Sequence, residues 1–345
     1  MLLPRRKKQK IIHKKKQAQR EKRLLTERTS MRNRFLAFDL LRCVAVVWIV
    51  AIWHLTNYCE PSSFFYQGIV YSKSCREFTL IMLSLFMFMS GLFTKIHCEN
   101  LIKETKAFYI KKFLRFYPLY IISAISLYFI PKYITSMTFF STVKSLHLSF
   151  FGFANLWNLA PATLWFMDLL LFMILLTPLT FLKSKKKWLL ILSIYGILYL
   201  THKIFNLLDY RVLMYMPFYF LGIYLTPSQF LEYCKKYGFY FLILGIILML
   251  IPTKILIVKL ISRLLFIIAI GKVASTIVEY CKSNKIWTLL NIISYSSMCA
   301  YFFHRQIYSI GLEFSIPLSV LPFLIFIISY FIQKAYDTLL AKVKL

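Results

Sequence analysis

Charged side chains are scarce in this chain, 16% of 345 residues, and acidic ones are scarcest, with 13 Asp and Glu against 43 Lys and Arg. A soluble domain carries about 25% charged residues. There are too few here to clothe a water-facing surface, which excludes an ordinary globular fold. Glycine and proline are also few, 9 and 11, and no internal repeat stands out. The seven cysteines, at 43, 59, 75, 98, 234, 281 and 299, form no CxxC pair and no Cys/His ligand spacing, which argues against a zinc site, and no metal is expected. Only Cys59 and Cys75 share an expected outer loop, where a disulfide is chemically permitted.

What fills the chain is apolar: 59% of residues are hydrophobic and 18% aromatic. They fall in runs of about 17–25 residues, the length that crosses ~30 Å of hydrocarbon at 1.5 Å per residue. Backbone amides in lipid must be satisfied within their own segment, so the runs are read as helices. The expected fold is an all-α, polytopic transmembrane bundle of about ten helices, at 36–56, 78–95, 116–134, 162–182, 187–202, 212–226, 236–252, 254–277, 286–307 and 316–336. Residues 1–34 form a basic arm, expected to be cytoplasmic and flexible, and residues 35–345 the transmembrane domain. No small-residue cleavage site follows the first run, so no removable signal peptide is expected.

Ten spans return both termini to one side. With that side cytoplasmic, 32 of the 43 Lys and Arg fall in inner segments and 7 in outer loops, as the positive-inside rule requires. The net charge of +30 is then an orientation signal and not a nucleic-acid footprint, and no nucleic acid is expected as partner. The arm alone admits a second reading, since clustered Lys and Arg also bind anionic lipid or RNA.

An ionisable side chain at mid-membrane costs roughly 2.5–3.5 kcal/mol, so each one inside a span is a candidate for function. The first span holds Asp39 and Arg42, three apart and able to pair on one face, and His54 toward its outer end. Lys259 and Arg263 sit four apart on the eighth span, where they line a cavity or snorkel to opposite ends. His304 and Arg305 lie near the outer end of the ninth, where the plain reading is a polar pair at the interface. Trp165, at the outer end of the fourth, reads first as an interfacial anchor and second as a platform for a sugar.

Six segments carry a resemblance. The run FDLLRCVAVVWIVAIWH at 38–54 has an acid, a basic residue three later and an apolar helix ending in His. LFMFMSGLFTK at 85–95 is an aromatic-rich helix ending in Ser-Gly, and FYIKKFLRFYPLY at 108–120 sets Lys111, Lys112 and Arg115 before Tyr117-Pro118. LWFMDLLLFMILLTPL at 164–179, FYFLGIYL at 218–225 and ISYSSMCAYFFHRQIY at 293–308 complete the series. In this order, over residues 34–336, they resemble the acyltransferase 3 family of integral membrane O-acyltransferases.

The chain departs from that family in three places. Eleven residues separate Arg42 from His54 where the family usually has ten. Twelve α-helical steps rotate His54 by ~120° from Arg42, so either a bulge restores the alignment or the two do not face one chamber. Lys112 stands where the family often has Arg, keeping charge but not the bidentate grip on phosphate. Asp168 replaces an often neutral position.

The resemblance implies transfer of an acyl group, acetyl in the first instance, from a cytosolic acyl-coenzyme A to a hydroxyl of a surface or secreted glycan or its lipid-linked precursor. His54 is then the catalytic base or a transient acyl carrier, with Arg42 and Asp39 beside it. Lys111, Lys112 and Arg115 would hold the coenzyme A phosphates, against the plainer reading of positive-inside anchoring. His304 and Trp165 would face the acceptor. The expected setting is the plasma (inner) membrane, with lipid as surroundings. The rival function is export of a polysaccharide or lipid-linked sugar, which predicts paired halves or broken helices that the sequence does not show.

Overall fold

The computed structural model describes residues 36–94, 101–128, 148, 153–157, 164–182, 187–251, 255–281 and 283–342. The expected arm at 1–34 and Cys98 lie outside them.

Ten long helices follow one another among these residues. They are α1 (Leu36–Tyr58), α2 (Lys73–Leu92), α3 (Leu101–Tyr128), α4 (Trp165–Phe181), α5 (Lys187–Phe205), α6 (Tyr210–Tyr224), α7 (Pro227–Leu250), α8 (Leu256–Tyr280), α9 (Asn284–Glu313) and α10 (Leu321–Lys342). No strand occurs among the described residues. Six of the ten, α1, α2, α5, α7, α9 and α10, are long and apolar enough to cross a membrane, and α4 is a shorter apolar helix. The protein is an all-α, multi-pass bundle.

Local chemistry sets the helix starts. Ser72 accepts from the Cys75 amide, Asp209 from the Arg211 amide, and Thr226 with Gln229 forms a reciprocal capping box. Each satisfies amides that the first helical turn leaves without partners.

Three helix pairs carry most of the packing: α7 on α8, α9 on α10, and α2 on α6. The last is a glycine crossing. A Cβ on Gly91 would lie 2.0 Å from the Tyr219 carbonyl oxygen, and one on Gly222 would lie 2.2 Å from that of Phe88. Only glycine lets these backbones touch, as at small-residue contacts in membranes generally. The Ser-Gly and Phe-Leu-Gly segments of the sequence are thus the two halves of one contact. Around it lie buried Phe88, Tyr120, Tyr215, Tyr219, Phe230 and Phe302.

Two expectations need correction. Residues 95–115 were expected as an inner loop, yet the chain is helical from Leu101 through Pro118 to Tyr128. From Leu101 to Tyr117 it holds no Gly or Pro, and nine of its 17 residues are Lys, Leu, Arg, Glu or Ala, which favour helix whatever their charge. Trp165 was expected first as an interfacial anchor, but it is only 9% exposed. It opens α4 beneath Arg211, whose guanidinium lies 4.4 Å from its ring centre. Cys59 and Cys75 are free thiols, so the permitted disulfide is not formed.

Candidate active site

The helix α1 changes form along its length. It runs as α-helix to Val46, widens to a π-helix over Val47–Trp53 and tightens to a 3₁₀ turn over His54–Tyr58. A π turn absorbs one extra residue, so twelve steps act as eleven, and the ~120° offset between Arg42 and His54 falls to ~20°. The extra residue of the first helix is taken up in the bulge that the sequence left open as one of two outcomes.

The neighbour α9 explains why the bulge is needed. At one end the Arg42 Nη1 donates to Ser294 Oγ at 3.1 Å, and Ser294 donates in turn to Asp39 Oδ1 at 2.7 Å. Asp39 and Arg42 also face each other at 3.6 Å. At the other end the rings of His54 and His304 stack, centroids 4.6 Å apart and planes within 4°. Ten residues of α9 between Ser294 and His304 rise ~15 Å, while twelve α-helical residues of α1 would rise ~18 Å. The wide turn advances less per residue and lets both contacts form.

His304 is wholly buried. Its Nδ1 lies 2.8 Å from the Tyr301 carbonyl and 3.2 Å from that of Ala300. A carbonyl only accepts, so Nδ1 carries the proton and Nε2 the lone pair. That Nε2 is buried and has no hydrogen-bond partner, and neither has the buried Nδ1 of His54. Two stacked imidazoles therefore keep an unengaged ring nitrogen each.

A cavity of about 320 Å³ begins at the Arg42 end. Arg42, Lys112, Arg115, Ser294, Gln333 and Asp337 line its polar part, and Met89, Phe93, Leu170 and Ile174 its apolar part. Because residues early in α1 and late in α10 meet here, both helices have those termini at the same end of the bundle. Lys112 is half-buried, with Nζ 3.4 Å from Thr94 Oγ1 and 5.8 Å from the rings of Phe108 and Phe116. Lys111, next in chain, points outward and is exposed. Of the three basic candidates, then, Lys112 and Arg115 are brought to Arg42 and Lys111 is not.

The inner end of this cavity is an aromatic wall. Phe86 lies 6.3 Å from Phe166, Phe166 5.6 Å from Tyr301, and Tyr301 5.9 Å from His304. All three aromatic residues line the cavity, whereas His54 and His304 do not. The imidazole pair stands one ring beyond the wall. Trp165 joins the same chain of rings, 5.7 Å from Phe166 and 5.6 Å from Tyr215.

Several polar partners lay beyond reach of the sequence. Ser294 sits in a quoted segment, but its bridging position comes only from the fold. Arg263 turns inward to Glu77 at 3.4 Å, and its Nε and Nη1 are buried without partners. Asp168 is buried and accepts from the Tyr120 hydroxyl. Tyr295 and Gln333 both donate to Asp337, at 2.5 and 2.9 Å. No group of three metal-ligating side chains occurs among the described residues.

The family model described as an acyltransferase domain, acyltransferase 3, matches residues 35–332. The chain belongs to the acyltransferase 3 family. It is therefore a membrane acyltransferase, an enzyme that takes an acyl group from a donor and places it on an acceptor. No curated protein and no solved structure matches it. In this acyltransferase the six segments quoted from the sequence divide by role. Those around Gly91 and Gly222 pack helices, and those around Arg42, Lys112, Phe166 and His304 surround the cavity and the imidazole pair.

Proposed function

We propose that this acyltransferase moves an acetyl group from cytosolic acetyl-coenzyme A to a hydroxyl of a glycan, or of its lipid-linked precursor, on the outer side of the plasma membrane. The observation that carries the reading is the stack of His54 on His304 beyond a cavity whose opposite end bears Arg42, Lys112 and Arg115. A donor that is polyanionic at one end and a thioester at the other matches this polarity. The phosphates rest on Lys112 and Arg115, where Lys supplies charge and Arg a planar fork. Asp39 and Ser294 hold the Arg42 guanidinium toward the same space. The pantetheine arm lies along the apolar wall, and the thioester faces Phe166 and Tyr301.

In the reaction the acceptor oxygen attacks the thioester carbonyl and its proton passes to His54. The carbon–sulfur bond then breaks, and the coenzyme thiolate leaves and takes up a proton. A positioned imidazole contributes about 10²–10⁴-fold to such a transfer. His304 and Trp165 stand on the acceptor side of the wall. Lys111, exposed on the outward face of α3, acts as a membrane-surface anchor.

The test is to supply membranes with radiolabelled acetyl-coenzyme A and follow label into glycan. Wild-type membranes are expected to label and His54→Ala membranes to lose at least about 100-fold. Equal labelling by the two would reject His54 as the base, and an absence of label in both would reject acetyl-coenzyme A as the donor.

A further inference from the structure

A second opening lies apart from the cavity beside the histidines. It is an apolar groove of about 1070 Å³ between α5, α6 and the start of α8. Its lining follows α5 from Trp188 to Lys203 and α6 from Tyr210 to Tyr224. Polar groups gather at one end, where His202, Lys203 and Tyr210 line the groove; Arg211, next in the chain, is paired with Asp209 and stacked on Trp165. From that end a run of ring contacts leads through Trp165, Phe166 and Tyr301 to His304.

Gly196 shows that the groove is kept open. In the long helices Gly91, Gly222, Gly238, Gly245, Gly271 and Gly311 each face an atom within 3.3 Å of where a Cβ would stand, so close packing accounts for them. Gly196, in the middle of α5, has nothing within 4 Å. A helical glycine costs about 1 kcal/mol relative to alanine, and no neighbouring helix accounts for this one. It lines the groove, where a side chain would intrude.

Length selects the occupant. Trp188 to Lys203 spans ~22 Å of helix, more than the ~15 Å that one leaflet contributes to the hydrocarbon core. An ordinary phospholipid chain ends at mid-membrane, while a longer chain fills the whole groove. The cationic end suits a phosphate. We infer that this groove holds a polyprenyl phosphate-type carrier lipid, its chain along α5 and its phosphate at Lys203, with the attached sugar directed toward the histidine pair. The inference rests on the acyltransferase reading above and names its acceptor as lipid-linked.

The test uses the full-length protein, purified in detergent, with three probes measured by native mass spectrometry: a long-chain polyprenyl phosphate, farnesyl phosphate and phosphatidylglycerol. The wild type is expected to hold the long-chain lipid about tenfold more tightly than the other two. Gly196→Phe should remove most of that preference, Gly196→Ala should keep it, and Lys203→Gln should weaken binding about threefold. Equal retention of phosphatidylglycerol would make the groove a generic lipid seam and overturn the inference, as would binding unaffected by Gly196→Phe. The same preparations are assayed for His54-dependent acetyl transfer. Long-chain binding without transfer sinks the donor reading alone, and transfer without long-chain preference sinks the groove alone.

Discussion

Deleting Val47 should leave the enzyme active, while inserting one residue nearby should abolish activity. Both ends of α1 are pinned to α9. Below the wide turn, Arg42 binds Ser294 at 3.1 Å and the Cys43 thiol donates to the Leu290 carbonyl at 2.9 Å. Above it, His54 stacks on His304 at 4.6 Å and Tyr58 on Tyr308 at 4.8 Å. Val47 opens the π segment. Its removal leaves eleven steps, which an unbroken α-helix covers with ~20° of net rotation and ~16.5 Å of rise, close to the ~15 Å set by α9. An alanine inserted after Ile49 leaves thirteen steps, and unless a second bulge forms His54 swings by ~100°. A displacement of about 1 Å already costs ~100-fold in a positioned reaction, so the insertion should lose at least that. The deletion should stay within about fivefold of wild type. The assay is His54-dependent transfer of labelled acetyl groups, alongside the thermal midpoint of each variant in detergent. A deletion that folds with an unchanged midpoint yet is as inactive as the insertion would refute the register argument.

Other outcomes follow from the same contacts. Gly91→Ala or Gly222→Ala should each cost about 3 kcal/mol, since the new methyl meets backbone that cannot yield; an unaltered thermal midpoint would show that the α2–α6 contact is looser than described. Lys112→Gln should raise the KM for acyl-coenzyme A about tenfold and Lys111→Gln hardly at all, and equal effects would mean that bulk surface charge, not the cavity, holds the donor. Ser294→Ala should cost about 1 kcal/mol of stability by removing the bridge between Asp39 and Arg42, read by chemical or thermal unfolding. Arg263→Met should cost about 3–5 kcal/mol by leaving Glu77 uncompensated, and the double change with Glu77→Leu should recover much of that. A double variant as weak as the single one would show that Arg263 matters through packing alone.

Why the helices were legible while the site was only partly so follows from what each depends on. Apolar runs of membrane length are a one-dimensional signal, so segments such as α1 and α9 could be read from hydropathy. The start of α3 was hidden because Lys and Arg at 103–115 resemble a surface loop by charge, while helix propensity ignores charge of that kind. The extra residue between Arg42 and His54 did register as a mismatch of phase. Its resolution required α9, whose ten residues from Ser294 to His304 set the length that α1 must match. Glu77 and Arg263 stand 186 positions apart, and no local pattern joins them. Gly196 looks in sequence like any glycine in an apolar helix. Only the emptiness around it separates it from the packing glycines Gly91 and Gly222.

The arrangement also bears on how one site serves two sides of a membrane. On the function proposed above, a cytosolic donor and an outer acceptor would have to meet without opening a continuous pore. Helix α9 carries a residue of each part in one rigid element: Ser294 at the basic end, Tyr301 in the aromatic wall, and His304 two residues short of Gln306 beyond it. With α1 clamped to α9 at Arg42 and at His54, the distance between donor anchor and imidazole is fixed by the pitch of a helix and not by a loop. The wall of Phe86, Phe166 and Tyr301 then has only to admit a small acyl group between fixed ends. A chain that kept the two clamps and lost the wall would still bind both substrates but would let water reach the thioester. Hydrolysis uncoupled from transfer, measured as free thiol released in excess of acyl groups on the acceptor, is therefore the failure expected of Phe166→Ala.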